Sequence, residues 1–481
     1  MTLTRPDALT LPPLGRLSTR STLAYGIGSV AYGVKDNGFQ TFLLIFYNQV
    51  MGLPAVEVGG AIMLALLVDA LIDPLIGVAS DQTRTKWGRR HPWMYAAALP
   101  IAAGWLLLWN PPALSHGAML AWIFVTSVIV RSAVSAYEVP SAALTAELSA
   151  DYDERTRITS YRYLFGWAGG LTMLVAAYTL FLVPTAEQPN GLLNRDGYRT
   201  YALVGSIAMF VTILVSAAGT HREIARLPAV TTERVPLRVL LGQVRETFHN
   251  RAFAMLILAG LFAYTAQGLT FAISNYLYSF VWSFSAGAFL WLGAVLFTGV
   301  IVAFVMTPRV TRRLGKRRAA SIFMFVGPLF LVLPYPLRLI GWFPSGGNEL
   351  LLPLLFATLI LNVACSVSAF MTGSSMMADV VEQSEAVTGR RSEGAFFAGS
   401  FFVQKATGGI GIFLAGLVLS FASFPANAKP GSVPEATIDQ LTIVFSVIVV
   451  LLSWAAAWFY SRFPFDRHEH EARVTAMGRA G

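Results

Sequence analysis

Cysteine, histidine and charge are all scarce in this sequence. Cys365 is its one cysteine, which excludes a disulfide framework and any thiolate metal site. Asp, Glu, Lys and Arg make up 13% of the 481 residues, about half the share of a soluble domain. The six histidines, His91, His116, His221, His249, His468 and His470, lie at or beyond the ends of apolar runs. They assemble no zinc-like set and no nucleophile–base pair, so the sequence gives an enzyme nothing to work with. Short alternating segments of the β-barrel kind are missing. The first 20 residues lack the apolar core of a cleaved signal and read as a tail.

What is present is apolar: 55% of the residues are hydrophobic, gathered in blocks of about 20–30, long enough to cross a bilayer core as helices. Backbone groups in lipid must be satisfied within the segment, so helices are the expected form. The pattern predicts an all-α membrane protein with twelve transmembrane helices near 22–50, 56–80, 93–112, 118–147, 158–184, 200–219, 252–284, 286–308, 319–341, 350–380, 394–422 and 439–462. The formal charge is +9, which raises nucleic acid as a partner, but the basic residues cluster between apolar blocks. Counting Arg162 with the loop it follows, 28 of the 35 Lys and Arg fall in the tails and in loops after even-numbered helices. Arg195, Arg199, Arg338 and Lys429 fall on the other side. That asymmetry predicts two cytoplasmic termini and no nucleic-acid partner.

The expected organisation is a tail over 1–21, a six-helix bundle over 22–219, a cytoplasmic loop over 220–251, a second bundle over 252–462 and a tail over 463–481. Within the loop, 236–248 reads as an amphipathic surface helix. A repeat supports the division. Gly77, Asp81, Arg84, Trp87, Gly88, Arg89 and Arg90 follow helix 2, and Arg309, Arg312, Arg313, Leu314, Gly315, Lys316, Arg317 and Arg318 follow helix 8. Paired six-helix halves with a site at their interface are a carrier architecture.

An ionisable group at bilayer depth is costly unless paired or hydrated, so each one is a candidate for function. Asp69 and Asp73 share a helix face at i,i+4, about 6 Å apart at Cβ. Two bare carboxylates there need a cation, a shared proton or a basic partner. Pro74 follows, a residue expected to kink the helix and free a carbonyl. Lys35 and Asp36 lie roughly 20 Å into helix 1. Arg131, Ser135 and Glu138 form a polar stripe on helix 4, before Pro140, and the guanidinium suits an anionic group. Arg162 stands at the start of helix 5. Lys405, about 18 Å into helix 11, is the one strong charge buried in the second half. Its natural partners are the acids of helices 1, 2 and 4. The aromatic residues of helix 7, among them Tyr264, Phe271, Tyr276 and Trp282, suit packing and an interfacial belt.

Several segments together resemble the glycoside–pentoside–hexuronide:cation symporters of the major facilitator superfamily. They are Asp69-Ala70-Leu71-Ile72-Asp73-Pro74-Leu75-Ile76-Gly77, Trp87-Gly88-Arg89-Arg90-His91-Pro92-Trp93, Tyr137-Glu138-Val139-Pro140, Glu154-Arg155-Thr156-Arg157 with Tyr161-Arg162, Met377-Ala378-Asp379-Val380-Val381-Glu382, and Arg391-Ser392-Glu393-Gly394 leading to Lys405. The resemblance spans nearly the whole chain. It implies the major facilitator fold, two six-helix bundles and alternating access driven by a cation gradient. It also implies a coupling site of Asp69, Asp73 and Lys405, and a sugar site including Asp36, Glu138 and Arg162. The family's sodium-coupled sugar carriers have Asn where this chain has Ile72, and its melibiose carrier has Trp where this chain has Ala142 and Asp where it has Glu138. Arg131 has no counterpart.

The expected function is secondary active transport, a cation- or proton-coupled symport of a sugar, glycoside or sugar acid. The alternative is a cation-coupled carrier of a lysophospholipid-like or other organic solute. The expected substrate set is Asp36, Arg131, Ser135, Glu138 and Arg162. Asp69 and Asp73 would be metal ligands only with sodium as the coupling ion. Ile72 offers no oxygen, which favours protons. Asp81, Arg84, Arg89, Arg90, Glu154, Asp379, Glu382, Arg390 and Arg391 are expected to form a cytoplasmic gate. No cofactor is expected, and the protein is expected to act as a monomer in a bacterial inner membrane.

Overall fold

The first apolar run folds as a helix interrupted in its middle. Thr19–Ile27 and Val30–Asn37 are α-helical, and the chain continues through π-helical turns at Gly38–Phe42 and Phe46–Val50. The interruption falls at Gly28, where a Cβ would lie 1.7 Å from the Tyr137 hydroxyl and 2.6 Å from Ser216. Only a glycine permits that approach. The computed structural model describes residues 17–149, 151–186, 188–226, 250–344, 348–388 and 393–464.

We label the interrupted helix over 19–50 α1. Eleven further helices are each long and apolar enough to cross a membrane. They are α2 (Ala55–Gln82), α3 (His91–Trp109), α4 (His116–Leu148), α5 (Tyr152–Ala176), α6 (Arg195–Thr220), α7 (Arg251–Tyr276), α8 (Ala286–Leu314), α9 (Lys316–Val332), α10 (Leu351–Thr388), α11 (Glu393–Phe421) and α12 (Glu435–Ser461). Twelve crossings result, as expected. Two differences stand out. The α10 helix runs a full two turns past its expected end, and α2 continues unbroken through Pro74. The expected amphipathic helix over 236–248 lies outside the described residues.

Packing repeats with an offset of six helices. In the first half α1 packs on α5 and α6, α2 on α4, and α3 on α4 and α6. In the second half α7 packs on α11 and α12, α8 on α10, and α9 on α10 and α12. The glycines of the two basic turns share an unusual backbone as well: Gly88 has φ +73° and Gly315 φ +77°. Glycine reaches this region without steric cost. Shared geometry at matched positions carries the repeat further than the basic residues alone.

The halves meet chiefly through α2 against α11 and α1 against α7. Glycines bring the first pair together. At Gly416 a Cβ would stand 2.5 Å from the Ala55 carbonyl oxygen, and at Gly59 3.1 Å from that of Ile412. Both contacts lie on the face opposite the termini, the far face. Here Gln49 of α1 donates to the Pro425 carbonyl at 3.0 Å and accepts from the Ala428 amide at 2.8 Å. Tyr276 donates to Asn48 at 2.8 Å, and Asn275 donates to the Thr41 carbonyl at 2.9 Å while accepting from Tyr178. Among the described residues, hydrogen bonds between the halves gather at this face and at mid-depth. The far face is therefore tied by hydrogen bonds, and among the described residues none joins the halves on the face that carries the termini.

Candidate functional site

At mid-depth, α2, α4 and α11 bring four charges together. Asp69 and Asp73 project from one face of α2 toward α11, as their i,i+4 spacing requires. Lys405 of α11 reaches across the seam between the halves, its Nζ 2.5 Å from Asp73 Oδ2 and 3.2 Å from Asp69 Oδ2. It also lies 3.2 Å from Ser135 Oγ. From α4, Arg131 places Nε and Nη2 3.0 and 2.8 Å from Asp69 Oδ2, and Ser135 donates to Asp69 Oδ1 at 2.9 Å. The Arg131 guanidinium also sits over the Phe39 ring of α1, 5.2 Å from its centroid.

The two acids are not equivalent. The Asp69 side chain is 2% exposed and Arg131 4%, and both Asp69 oxygens accept hydrogen bonds. Asp73 is 24% exposed and Lys405 20%. Its Oδ1 is buried without a hydrogen-bond partner among the described residues. Two negative and two positive groups balance, which makes burial at this depth tolerable.

Beside this cluster lies a second one, nearer the termini face. Arg162 of α5 donates to Glu138 Oε1 at 2.6 Å, to the Tyr25 hydroxyl at 2.8 Å and to Ser141 Oγ at 2.9 Å. Glu138 Oε2 is buried and unpartnered among the described residues. On α1, Lys35 is buried over the Tyr32 ring and 3.4 Å from Asp36. Asp36 accepts from Gln40 at 2.7 Å and keeps about a third of its side chain exposed. Of these charged groups Asp36 and Glu138 keep the most exposure, and Lys35 and Arg162 are buried.

The expected stripe of Arg131, Ser135 and Glu138 divides. Arg131 and Ser135 both engage Asp69, and Glu138, a turn further along α4, pairs with Arg162 instead. The reason is depth: Asp69 lies level with the first two, whereas Arg162 lies level with the third. Lys405 meets the acids of α2, as expected, and those of α1 and α4 pair with other groups.

The expected gate residues pair within each half. Arg90 binds Asp81, with Ser80 and Glu147 at 2.7 and 3.0 Å, and Arg89 joins the same Glu147 at 2.7 Å. Glu154 accepts from Arg157 and from the Leu17 amide, and Lys316 binds Asp379 at 2.6 Å. Arg84 and Glu382 are exposed. Arg390 and Arg391 lie outside the described residues. Sequence reasoning missed Glu147, Tyr25, Ser141, Lys316 and the amides Asn48, Gln49 and Asn275. Their signal was present, since each is a polar residue in or beside an apolar run, but partners two helices away do not show in a linear pattern.

The aromatic residues of α7 pack mainly within the second half, Phe262 on Phe459, Tyr264 on Phe370 and Tyr276 on Phe424. Among the described residues no group of three or more His, Cys, Asp or Glu is placed to hold a metal.

Known proteins share this architecture. The chain is 27% identical over 491 aligned positions to an uncharacterized symporter of Synechocystis sp., covering 87% of this chain and 88% of that one. It is 25% identical to the isoprimeverose transporter of Lactiplantibacillus pentosus, with 91% and 87% covered. Its fold is similar to the inward-open conformation of the xylose transporter XylE from E. coli, with a TM-score of 0.62 at 12% identity, over 92% of this chain and 95% of that chain. The family model described as MFS/sugar transport protein matches residues 24–467. With twelve membrane helices in two packed halves and its buried charges held between them, the chain belongs to the MFS/sugar transport protein family and is a membrane carrier, not an enzyme.

Proposed function

We propose that this carrier couples the uptake of a sugar, glycoside or sugar acid to the entry of a cation, with Asp73 taking the coupling ion as a proton. One observation carries the reading: Lys405 of the second half is held by two carboxylates of the first, one of them with a free oxygen. Protonating Asp73 removes the negative partner of the shorter bridge and loosens the tie between α2 and α11. The ion then alters the balance between two arrangements because it binds them unequally. A proton needs a single lone pair, which Asp73 Oδ1 offers. A small metal cation wants several oxygens at once, and Ile72 supplies none.

Asp36, Glu138 and Arg162 form the solute side of the site. Carboxylate oxygens such as Glu138 Oε2, which has no partner among the described residues, accept from hydroxyls, and a guanidinium in fork geometry accommodates a carboxylate. A relative named as an isoprimeverose transporter supports a glycoside substrate. The distribution of Lys and Arg favours cytoplasmic termini, which supports reading Asp81, Arg84, Arg89, Arg90, Glu154, Asp379 and Glu382, with Arg390 and Arg391 outside the described residues, as a cytoplasmic gate. The two six-helix bundles, 22–219 and 252–462, then rock about the central site. The test is solute accumulation in proteoliposomes, screened over sugars, glycosides, sugar acids and lysolipids, under an imposed pH gradient and then an imposed sodium gradient. Accumulation driven by sodium alone refutes the proton; accumulation of lysolipids alone refutes the sugar.

A further inference from the structure

We infer that Arg131 is a tethered cation that occupies the Asp69 half of the ion site and thereby sets its selectivity against sodium. The inference rests on the reading of Asp69, Asp73 and Lys405 as the coupling site, and it concerns a residue to which the family resemblance assigns nothing. It starts from the oxygens of Asp69. Oδ2 takes Arg131 Nη2 at 2.8 Å and Nε at 3.0 Å, with Lys405 Nζ at 3.2 Å. Oδ1 takes Ser135 Oγ at 2.9 Å. A carboxylate oxygen has two lone pairs; Oδ2 of Asp69 meets three donors and is filled, and Oδ1 has one of its two positions taken by Ser135. The Ser135 hydroxyl, the other oxygen at hand, points its proton at Asp69 and faces Lys405 at 3.2 Å.

A sodium ion approaching this carboxylate meets a guanidinium already on Oδ2. That group does not leave by deprotonation, since arginine stays charged under all ordinary conditions. It is held from the other side as well, by the Phe39 face 5.2 Å away, and it is almost fully buried. Displacing it strands an unpaired charge in the membrane interior, a costly outcome. Asp73 is held differently. Its partner is the amine of Lys405, partly exposed and on a flexible stem, and its Oδ1 is free. The two acids of a pair at i,i+4 thus divide their work: Asp69 anchors Arg131 and is withheld from exchangeable ions, and Asp73 keeps an oxygen without a partner among the described residues.

The prediction is that this carrier neither binds nor needs sodium, and that removing the guanidinium opens a sodium site on Asp69 and Asp73. Arg131→Gln is the informative change, because it removes the charge and leaves an amide oxygen at the same place. The probe is sodium ion itself. The purified full-length carrier is melted in sodium chloride and in choline chloride at equal ionic strength, and bound radioactive sodium is counted. The wild type is expected to melt alike in both salts and to retain no sodium. Arg131→Gln is expected to melt several degrees higher in sodium, through preferential binding to the folded state, and to lose that shift when combined with Asp69→Asn. Arg131→Lys keeps the charge and is expected to stay indifferent to sodium.

Sodium binding by the wild type overturns the inference with no variant needed, which covers the case in which Arg131→Gln does not fold. A folded Arg131→Gln indifferent to sodium overturns it too. Neither readout depends on a transported solute. Failure of every sugar and gradient in proteoliposomes therefore counts against the proposed function and leaves the sodium result standing.

Discussion

Lys405 and Asp73 join the two halves of the carrier at mid-depth through a contact of 2.5 Å between Nζ and Oδ2, made across the seam between α11 and α2. The bridge is partly exposed, and one of its acid's oxygens is free. Among the described residues it is, together with the contact of Lys405 to Asp69, the charged tie that joins the two halves.

Neutralising Asp73 removes the acceptor on which the proposed coupling depends. Asp73→Asn is expected to abolish accumulation against a gradient and to leave solute exchange within about tenfold of the wild type, a change of about 1.4 kcal/mol in barrier. Counterflow and uphill uptake, measured in the same vesicles, separate the two. Undiminished uphill uptake would remove Asp73 from the coupling mechanism.

Asp69 has a structural burden that Asp73 lacks. Asp69→Ala leaves Arg131 buried without its acid, a loss of the kind that costs about 3–5 kcal/mol. Its melting temperature is expected to fall well below that of Asp73→Ala, whose lysine partner retains solvent access. Thermal melting of the two variants in detergent is the check, and equal losses would contradict the unequal roles.

Solute recognition is expected to fail first at Arg162 and Glu138. Glu138→Gln keeps the shape and removes the charge that Arg162 holds at 2.6 Å. It should raise KM for the preferred solute by about tenfold or more, the scale of one charge-assisted hydrogen bond. Proton-driven uptake of other family solutes, if any are accepted, should lose less. A change in maximal rate with unaltered KM would move Glu138 out of the solute site.

Closure of the far face depends on Gly416. A Cβ there would stand 2.5 Å from the Ala55 carbonyl oxygen, so Gly416→Val is expected to hold the two halves apart on that side. Cys365, the single native cysteine, is buried, and probing accessibility is therefore simple. A reporter made by Asn48→Cys should react with a membrane-impermeant thiol reagent several-fold faster in the Gly416→Val background. Equal reaction rates would show that the α2–α11 contact does not gate this face.

Much of the architecture was legible in the sequence, because each membrane helix is a run of apolar residues set off by polar ones. Those runs gave the count, and the repeated basic turns pointed to two halves. The interruption of α1 was not legible, since it depends on Tyr137 and Ser216 approaching Gly28 from other helices. The candidate site was half legible. Burial cost alone singles out Asp69, Asp73, Arg131, Glu138 and Lys405, and it says nothing of who pairs with whom. Arg131 and Glu138 lie on one helical stripe, yet their partners stand on different neighbours at different depths. A stripe gives a direction around the helix and no level for the partner. Asn48 and Gln49 of the far face were overlooked because they carry no charge, although they are 2% and 3% exposed.

The central quartet also bears on voltage. Asp69 and Asp73 against Arg131 and Lys405 sum to zero in the empty carrier, so its return across the membrane moves no net charge through this site. Adding a proton to Asp73 leaves the quartet with one positive charge while the loaded carrier reorients. On the proposed proton coupling, an electrical potential then acts through this quartet on the loaded half of the cycle alone, with about 2.3 kcal/mol available per charge at 100 mV. A carrier built this way draws on the electrical gradient when it is full and travels back indifferent to it.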